Sequence, residues 1–235
     1  MSIVNEDWRW RMVTPPKGDY ASVPLNAEGR KVADTWTPSM DGRCEAYGAA
    51  GLMRMPTRVR MTWQDDRTLK LETDAGVQTR LLRFGVQGST SEPRSRQGSS
   101  VATWEFAGRN NGLGGFAFAP FAPPPGPPPG PGAGRGAGGG RGGPGGPGGP
   151  RFGTLKVVTG NLLPGWLRKN GVPYSEGAVV TEYYDRFKST NGDEWFVVTT
   201  VVDDAKYLQQ EFVTSSHFKK EADGAKWNPS ACKTT

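Results

Sequence analysis

The clearest pattern in the chain begins at Thr57, where apolar and polar residues alternate with period two. In "TRVRMTW", Val59, Met61 and Trp63 fall on one side and Arg58, Arg60 and Thr62 on the other. "QDDR" turns the chain, "TLKLET" places Leu69 with Leu71, and "DAG" turns it again. "VQTRLLRF", "SSVATWEF", "GTLKVVTGNL", "AVVTEYYDRF", "EWFVVTTVV" and "EFVTSSHFKK" follow, giving eight runs rich in Val, Thr and aromatic residues, the composition of strands. The Asn-Gly in "KSTNGDE" marks a hairpin turn. Eight consecutive strands joined mainly by short turns predict an antiparallel meander, and a meander of that length removes its exposed edges by closing. The expected fold is therefore all-β: an eight-stranded antiparallel β-barrel, wide enough inside for side chains or one small ligand.

Residues 1–56 do not share this texture. Prolines at 15, 16, 24 and 38 break them up, and they predict an irregular N-terminal wrap. One short helix is expected from Asn26 to about Trp36, capped by Asn26, with Val32 and Trp36 on one face. The whole chain, 1–235, reads as a single domain.

The stretch "PPPGPPPGPGAGRGAGGGRGGPGGPGGP", residues 123–150, holds only Gly, Pro, Ala and two Arg, between two strand-like runs. Collagen requires Gly at every third position, and this register breaks at once. RNA-binding Gly-Arg tracts need more arginines and aromatics than these. Such a composition buries too little apolar area to offset ordering entropy. Closing a long loop costs little more than closing a short one. Residues 108–152 therefore read as a disordered hairpin insertion.

Net charge is +6, with acids and bases interleaved and no dense basic block, which argues against a nucleic-acid partner. No apolar run is long enough to span a membrane as a helix. "MSIVNEDWRW" has no basic n-region followed by an apolar h-region, so no signal peptide is expected there, as in a mature chain. Cys44 and Cys232 either staple a long loop or stay as two thiols, depending on compartment. No CxxC occurs and His217 is the single histidine, so neither a metal site nor a cofactor is expected. GxSxG is absent, and no phosphate-cradling Gly motif follows a strand.

The segments "GSSVATWEF", "GTLKVVTGNLLPGWLRKNGVPYSEGAVVTEYYDRF", "EWFVVTTVVDDAKYLQQEFVTSSHFKK" and "WNPSAC" together resemble a group of uncharacterised exported bacterial proteins, common in acidobacteria and proteobacteria. That group carries a Gly-x-Ser strand, an Arg-(Arg/Lys)-Asn-Gly segment, a Thr-Glu strand and an Asp-Pro-x-Tyr-Leu segment. "RCEAYGAAGLMRMPTRVRM" is similar to its Cys-x-x-x-Gly and Met-x-x-Pro region. The chain departs from the group in three places. Gly98-Ser99-Ser100 stands where many relatives have Gly-His-Ser. The long insertion replaces a tight Trp-Glu-Gly-Asp turn, and Asp204-Ala205-Lys206-Tyr207 replaces Asp-Pro-x-Tyr. The resemblance implies a lipocalin-like barrel, a periplasmic or secreted location and a Cys44–Cys232 disulfide.

Three functions remain open. The first is a binding module holding a small apolar or aromatic ligand, contacted by Trp63, Trp104, Tyr184 and Trp195 and oriented by Arg80, Glu182 or His217. The loop "LRKNGVPYSE" adds Arg168, Asn170 and Tyr174 near a barrel mouth, as a gate or as plain packing. The second is a cofactor-free isomerase, lyase or cyclase. It would use Glu182 as buried base with Tyr184, Arg186 and His217, set against simple Glu182–Arg186 pairing. Arg80 and Glu72 are further candidates for a network with Glu105. The third is a homo-oligomer interface: "EWFVVTTVV" is apolar on both faces, so the wrap or a second copy must cover its outer face. Alternation alone does not say which face points inward, because a one-residue slip exchanges the two.

Overall fold

The computed structural model describes residues 2–4, 16–42, 47–85, 92–106 and 153–231. It is mostly β, and eight strands form one strongly curled sheet. They are β2 (Val59–Asp65), β3 (Thr68–Thr73), β5 (Thr79–Phe84), β6 (Ser99–Phe106), β7 (Gly153–Gly160), β10 (Val179–Lys188), β11 (Glu194–Asp203) and β12 (Phe212–Lys220). Their order across the sheet is β2-β3-β5-β6-β7-β10-β11-β12. A three-residue strand, β1 (Ser2–Val4), pairs with both edge strands, Ile3 lying opposite Val59 and Lys220. Two small sheets flank the main one: β8 (Gly165–Trp166) with β9 (Pro173–Tyr174), and β4 (Ala75–Gly76) with β13 (Ser230–Ala231).

All eight runs found by alternation are strands, but the meander is not wholly antiparallel. β5 and β6 pair in parallel, Leu82 with Ser100 and Phe84 with Ala102. The reason lies in the connection 85–98: a parallel neighbour needs a crossover of about a dozen residues or more, and this segment is long enough to bring the chain back to the end where β5 began. The sheet is therefore mixed, which corrects the expectation of an antiparallel barrel.

The helix α1 (Ala27–Thr35) lies where the sequence places it. The Asn26 side chain caps it by accepting from Gly29 N at 2.9 Å. Gly29 is required by contact, since a Cβ there would sit 2.5 Å from the Tyr207 carbonyl oxygen. The second helix, α2 (Gly48–Leu52), is fully buried.

Two apolar clusters fill the interior. One joins the wrap (Tyr20, Val23, Leu25, Ala33, Ala49) to Val180, Val202 and Phe212 at one end of the sheet. The other joins Leu71, Leu82, Leu155, Tyr184, Phe196, Val198 and Phe218 further along it. Tyr184 stacks on Phe196 and Phe196 on Phe218, with centroids 5.8 and 5.0 Å apart. One compact unit comprises residues 1–105 and 154–235. The insertion lies outside the described residues, as do Cys44 and Cys232 and hence their predicted disulfide. Among the described residues no helix is long and apolar enough to cross a membrane.

Candidate functional site

Along β10 the inward positions are Val180, Glu182 and Tyr184, and along β11 they are Val198, Thr200 and Val202. Val180 and Val202 belong to the first apolar cluster, Tyr184 and Val198 to the second. Glu182 and Thr200, paired across the strands, therefore form a polar level between two apolar ones. Arg80 on β5, Ser100 on β6 and Thr159 on β7 complete that level, and all are buried.

Arg80 and Glu182 are both fully inaccessible and meet as a fork: Nη1 donates to Oε1 at 3.0 Å and Nη2 to Oε2 at 2.6 Å. Nη2 also donates to Thr159 Oγ1 at 3.0 Å, and the Thr159 and Ser100 hydroxyls lie 2.8 Å apart. Burial opposes the charge on Arg80, but the Glu182 carboxylate outweighs it and holds the guanidinium ionised. Burial pushes the Tyr184 phenol well above its ordinary value, the Glu182 charge adds to this, and Arg80 opposes it.

The level is not saturated. Arg80 Nε, Tyr184 Oη and Thr200 Oγ1 are buried and make no hydrogen bond of normal geometry, although the Tyr184 hydroxyl interacts with Glu182 and Arg80 beside it. Each belongs to the ion pair or to one of its immediate neighbours. Buried polar atoms are nearly always satisfied, so three orphans at one level call for a ligand group or water to meet them.

The remaining candidates scatter. Arg186 is on the inward parity of β10 but at its exposed end, where it pairs with Glu194 at 2.9 Å rather than with Glu182. His217 and Trp195 face outward, and Lys219 Nζ lies over the Trp195 ring at 5.9 Å. His217 is thus on the other side of the sheet from Glu182 and Tyr184. Trp63 and Trp104 continue the inward face of β2 and β6 to the end of the sheet opposite the wrap, 55% and 46% exposed. Phe84 links them, with centroids 5.4 and 6.0 Å away. Glu72 and Glu105 pair with Lys70 and Lys156 and do not join Arg80.

The loop residues mainly pack. Arg168 donates to the Ala21 carbonyl and the Ser22 hydroxyl, and Asn170 to the Asp19 carbonyl, fastening the wrap. Ser175 donates through N and Oγ to buried Asp204 at 2.6 and 2.7 Å. Tyr174 is fully buried.

The alternation did not single out Ser100, Thr159 and Thr200. Their signal is present nonetheless: each is a hydroxyl on the apolar parity of its strand, beside Ala102, Val157 and Val198 respectively. Among the described residues no three His, Cys, Asp or Glu side chains are placed to hold a metal ion. Comparison with protein-family models, curated proteins and solved structures finds no match.

Proposed function

We propose that this chain binds a small, largely apolar molecule inside its curled sheet, which acts as a lipocalin-like barrel. A polar group of the ligand sits at the Arg80–Glu182 level. The observation that carries this reading is the set of three unpartnered buried atoms around the ion pair, Arg80 Nε, Tyr184 Oη and Thr200 Oγ1. Together they offer one N–H donor and two hydroxyls, a constellation for a carbonyl or hydroxyl oxygen. Around them lie Leu, Val and Phe side chains that suit an apolar body. Trp63, Phe84 and Trp104, in ring contact at the end away from the wrap, would form an aromatic approach to this interior.

The enzymatic alternative, Glu182 as a general base, is less favoured by the geometry. Both Glu182 oxygens are engaged by the Arg80 fork, and the expected acid–base partner His217 is on the outer face. In keeping with the family resemblance, the proposed setting is the periplasm or the exterior, where Cys44 and Cys232 would pair.

Native mass spectrometry of protein purified from its own host tests the reading. A discrete mass lost between gentle and denaturing conditions is the expected result. A bare polypeptide mass under both conditions, across independent preparations, contradicts it.

A further inference from the structure

A second feature, outside the sheet interior, is a cleft of about 760 Å³. α1 contributes Val32, the turn at Pro38–Gly42 contributes Met40, β8 Trp166 and β9 Tyr174, and Tyr207 and Arg96 complete the lining. Apolar and aromatic side chains make up most of the walls, Ser39 adds a hydroxyl, and Arg96 and Tyr174 meet at one corner.

Arg96 is held at both ends. Its carbonyl accepts from Ala49 N at 3.0 Å, and its Nη1 donates to the Pro164 carbonyl. Gly48, at φ +50°, lies against this corner. A Cβ there would sit 2.3 Å from the Arg96 carbonyl oxygen and 2.6 Å from the Tyr174 hydroxyl, so only glycine leaves room for both. The Tyr174 ring is fully buried at the floor of the cleft, and its hydroxyl makes no hydrogen bond of normal geometry, though it interacts with the Arg96 side chain beside it. Burial raises that phenol to about 12, with the Arg96 charge opposing the rise. A buried phenol beside a fixed cation, in a cleft whose walls are largely apolar and aromatic side chains, is an arrangement for a carboxylate on a flat apolar body.

We infer that this cleft is a second ligand site, distinct from the sheet interior, that takes a small aromatic or cyclic carboxylate with its anionic group at Arg96 and Tyr174. The interior level offers orphan atoms around an already neutralised ion pair. The cleft offers a cation with no carboxylate paired to it among the described ion pairs, so the two sites select different ligands.

The test is a titration of the full chain with benzoate, followed by NMR of the indole resonances, with the Trp166 resonance assigned through Trp166→Phe. The expected result is a saturable shift of that resonance, with affinity about tenfold weaker in Tyr174→Phe, the loss of one charge-assisted hydrogen bond. Tyr184→Phe, in the interior, leaves the titration unchanged. Tyr174→Phe keeps the buried ring, and its melting temperature shows whether the fold is intact. If Trp166 does not move at millimolar benzoate, the inference is wrong. It is equally wrong if the shift is abolished by Tyr184→Phe but untouched by Tyr174→Phe, since benzoate would then be occupying the interior. Failure here leaves the interior reading standing.

Discussion

Asp74 and Glu182 are both buried carboxylates paired with an arginine, and their surroundings differ in one respect that matters. Asp74 is saturated. Its Oδ1 accepts from Arg58 N, Ala75 N and the Thr57 hydroxyl, and its Oδ2 from Arg58 Nη1 at 2.9 Å and Asn228 N at 3.4 Å. Through Asn228 and Ser230 it fastens the C-terminal segment to the turn after β3. The Glu182 level instead leaves Arg80 Nε, Tyr184 Oη and Thr200 Oγ1 without partners. Both Asp74 oxygens are compensated and only Arg58 Nε beside them is left unmet, against three atoms at the Glu182 level, so the Asp74 node is explained by folding. An unsaturated one costs stability as it stands, so its retention points to something that fills it.

The largest expected effect comes from breaking the interior pair. Glu182→Gln or Arg80→Met alone should lower unfolding free energy by about 3–5 kcal/mol, because each leaves a buried charge unpaired. Replacing both together, as Arg80→Met with Glu182→Leu, should recover most of that loss. Denaturant unfolding of the three variants checks this. Single variants within about 1 kcal/mol of wild type would mean the pair is hydrated, and the comparison with Asp74 would collapse.

Next in size is the structural node. Asp74→Asn should cost about 2 kcal/mol through weakened charge-assisted hydrogen bonds, without altering ligand retention in native mass spectrometry. Burial raises the Asp74 carboxyl, but the Arg58 backbone and guanidinium with Ala75 and Asn228 outweigh it, and the net shift is downward. A lowered folded-state value gives stability that is present above the ordinary carboxylate range and is lost as pH falls below it. Acid unfolding should therefore set in at higher pH in proteins with the node intact than in Asp74→Asn after correction for its lower starting stability. An identical pH dependence in both would remove Asp74 from the account.

Tyr184→Phe should be smaller still in stability and larger in function. Deleting an unpartnered hydroxyl is close to neutral at pH 7, while affinity for the interior ligand should fall about tenfold. Because the phenol is raised, its contribution is present below the ordinary tyrosine value of about 10 and is lost as pH rises through the higher folded-state value. Alkaline unfolding should accordingly be delayed in Tyr184→Phe. A variant that loses stability at pH 7 but retains ligand would make Tyr184 a structural residue.

The smallest effect belongs to the insertion. Joining Gly108 to Gly153 should leave the melting temperature nearly unchanged, because loop-closure entropy varies slowly with length. A collapse of the fold on deletion would show that the tract contributes to the core.

What could be read from the sequence follows the same division. The strands were legible because apolar alternation is a local pattern, and α1 because Asn26 caps it in place. The parallel β5–β6 pairing was not, since it depends on the path of residues 85–98 rather than on alternation within either strand. Glu182, Tyr184 and Arg80 are legible as candidates, but the sequence does not say which of the candidates meet. Arg186 is two residues from Tyr184 on the same parity, yet it lies past the buried part of β10, while Arg80 arrives from three strands away around the curl. His217 suits acid–base chemistry, but strand parity alone does not say that it faces out. Ser100, Thr159 and Thr200 look like ordinary strand residues until the curl of the sheet brings them to one level.

The most direct test is an electron-density map of the interior in protein purified from its own host. Non-protein density larger than a water is expected within hydrogen-bonding distance of Arg80 Nε, Tyr184 Oη and Thr200 Oγ1. A dry interior in which these three atoms find partners among protein side chains would contradict it and leave the Arg80–Glu182 level as core structure, of the same kind as Asp74.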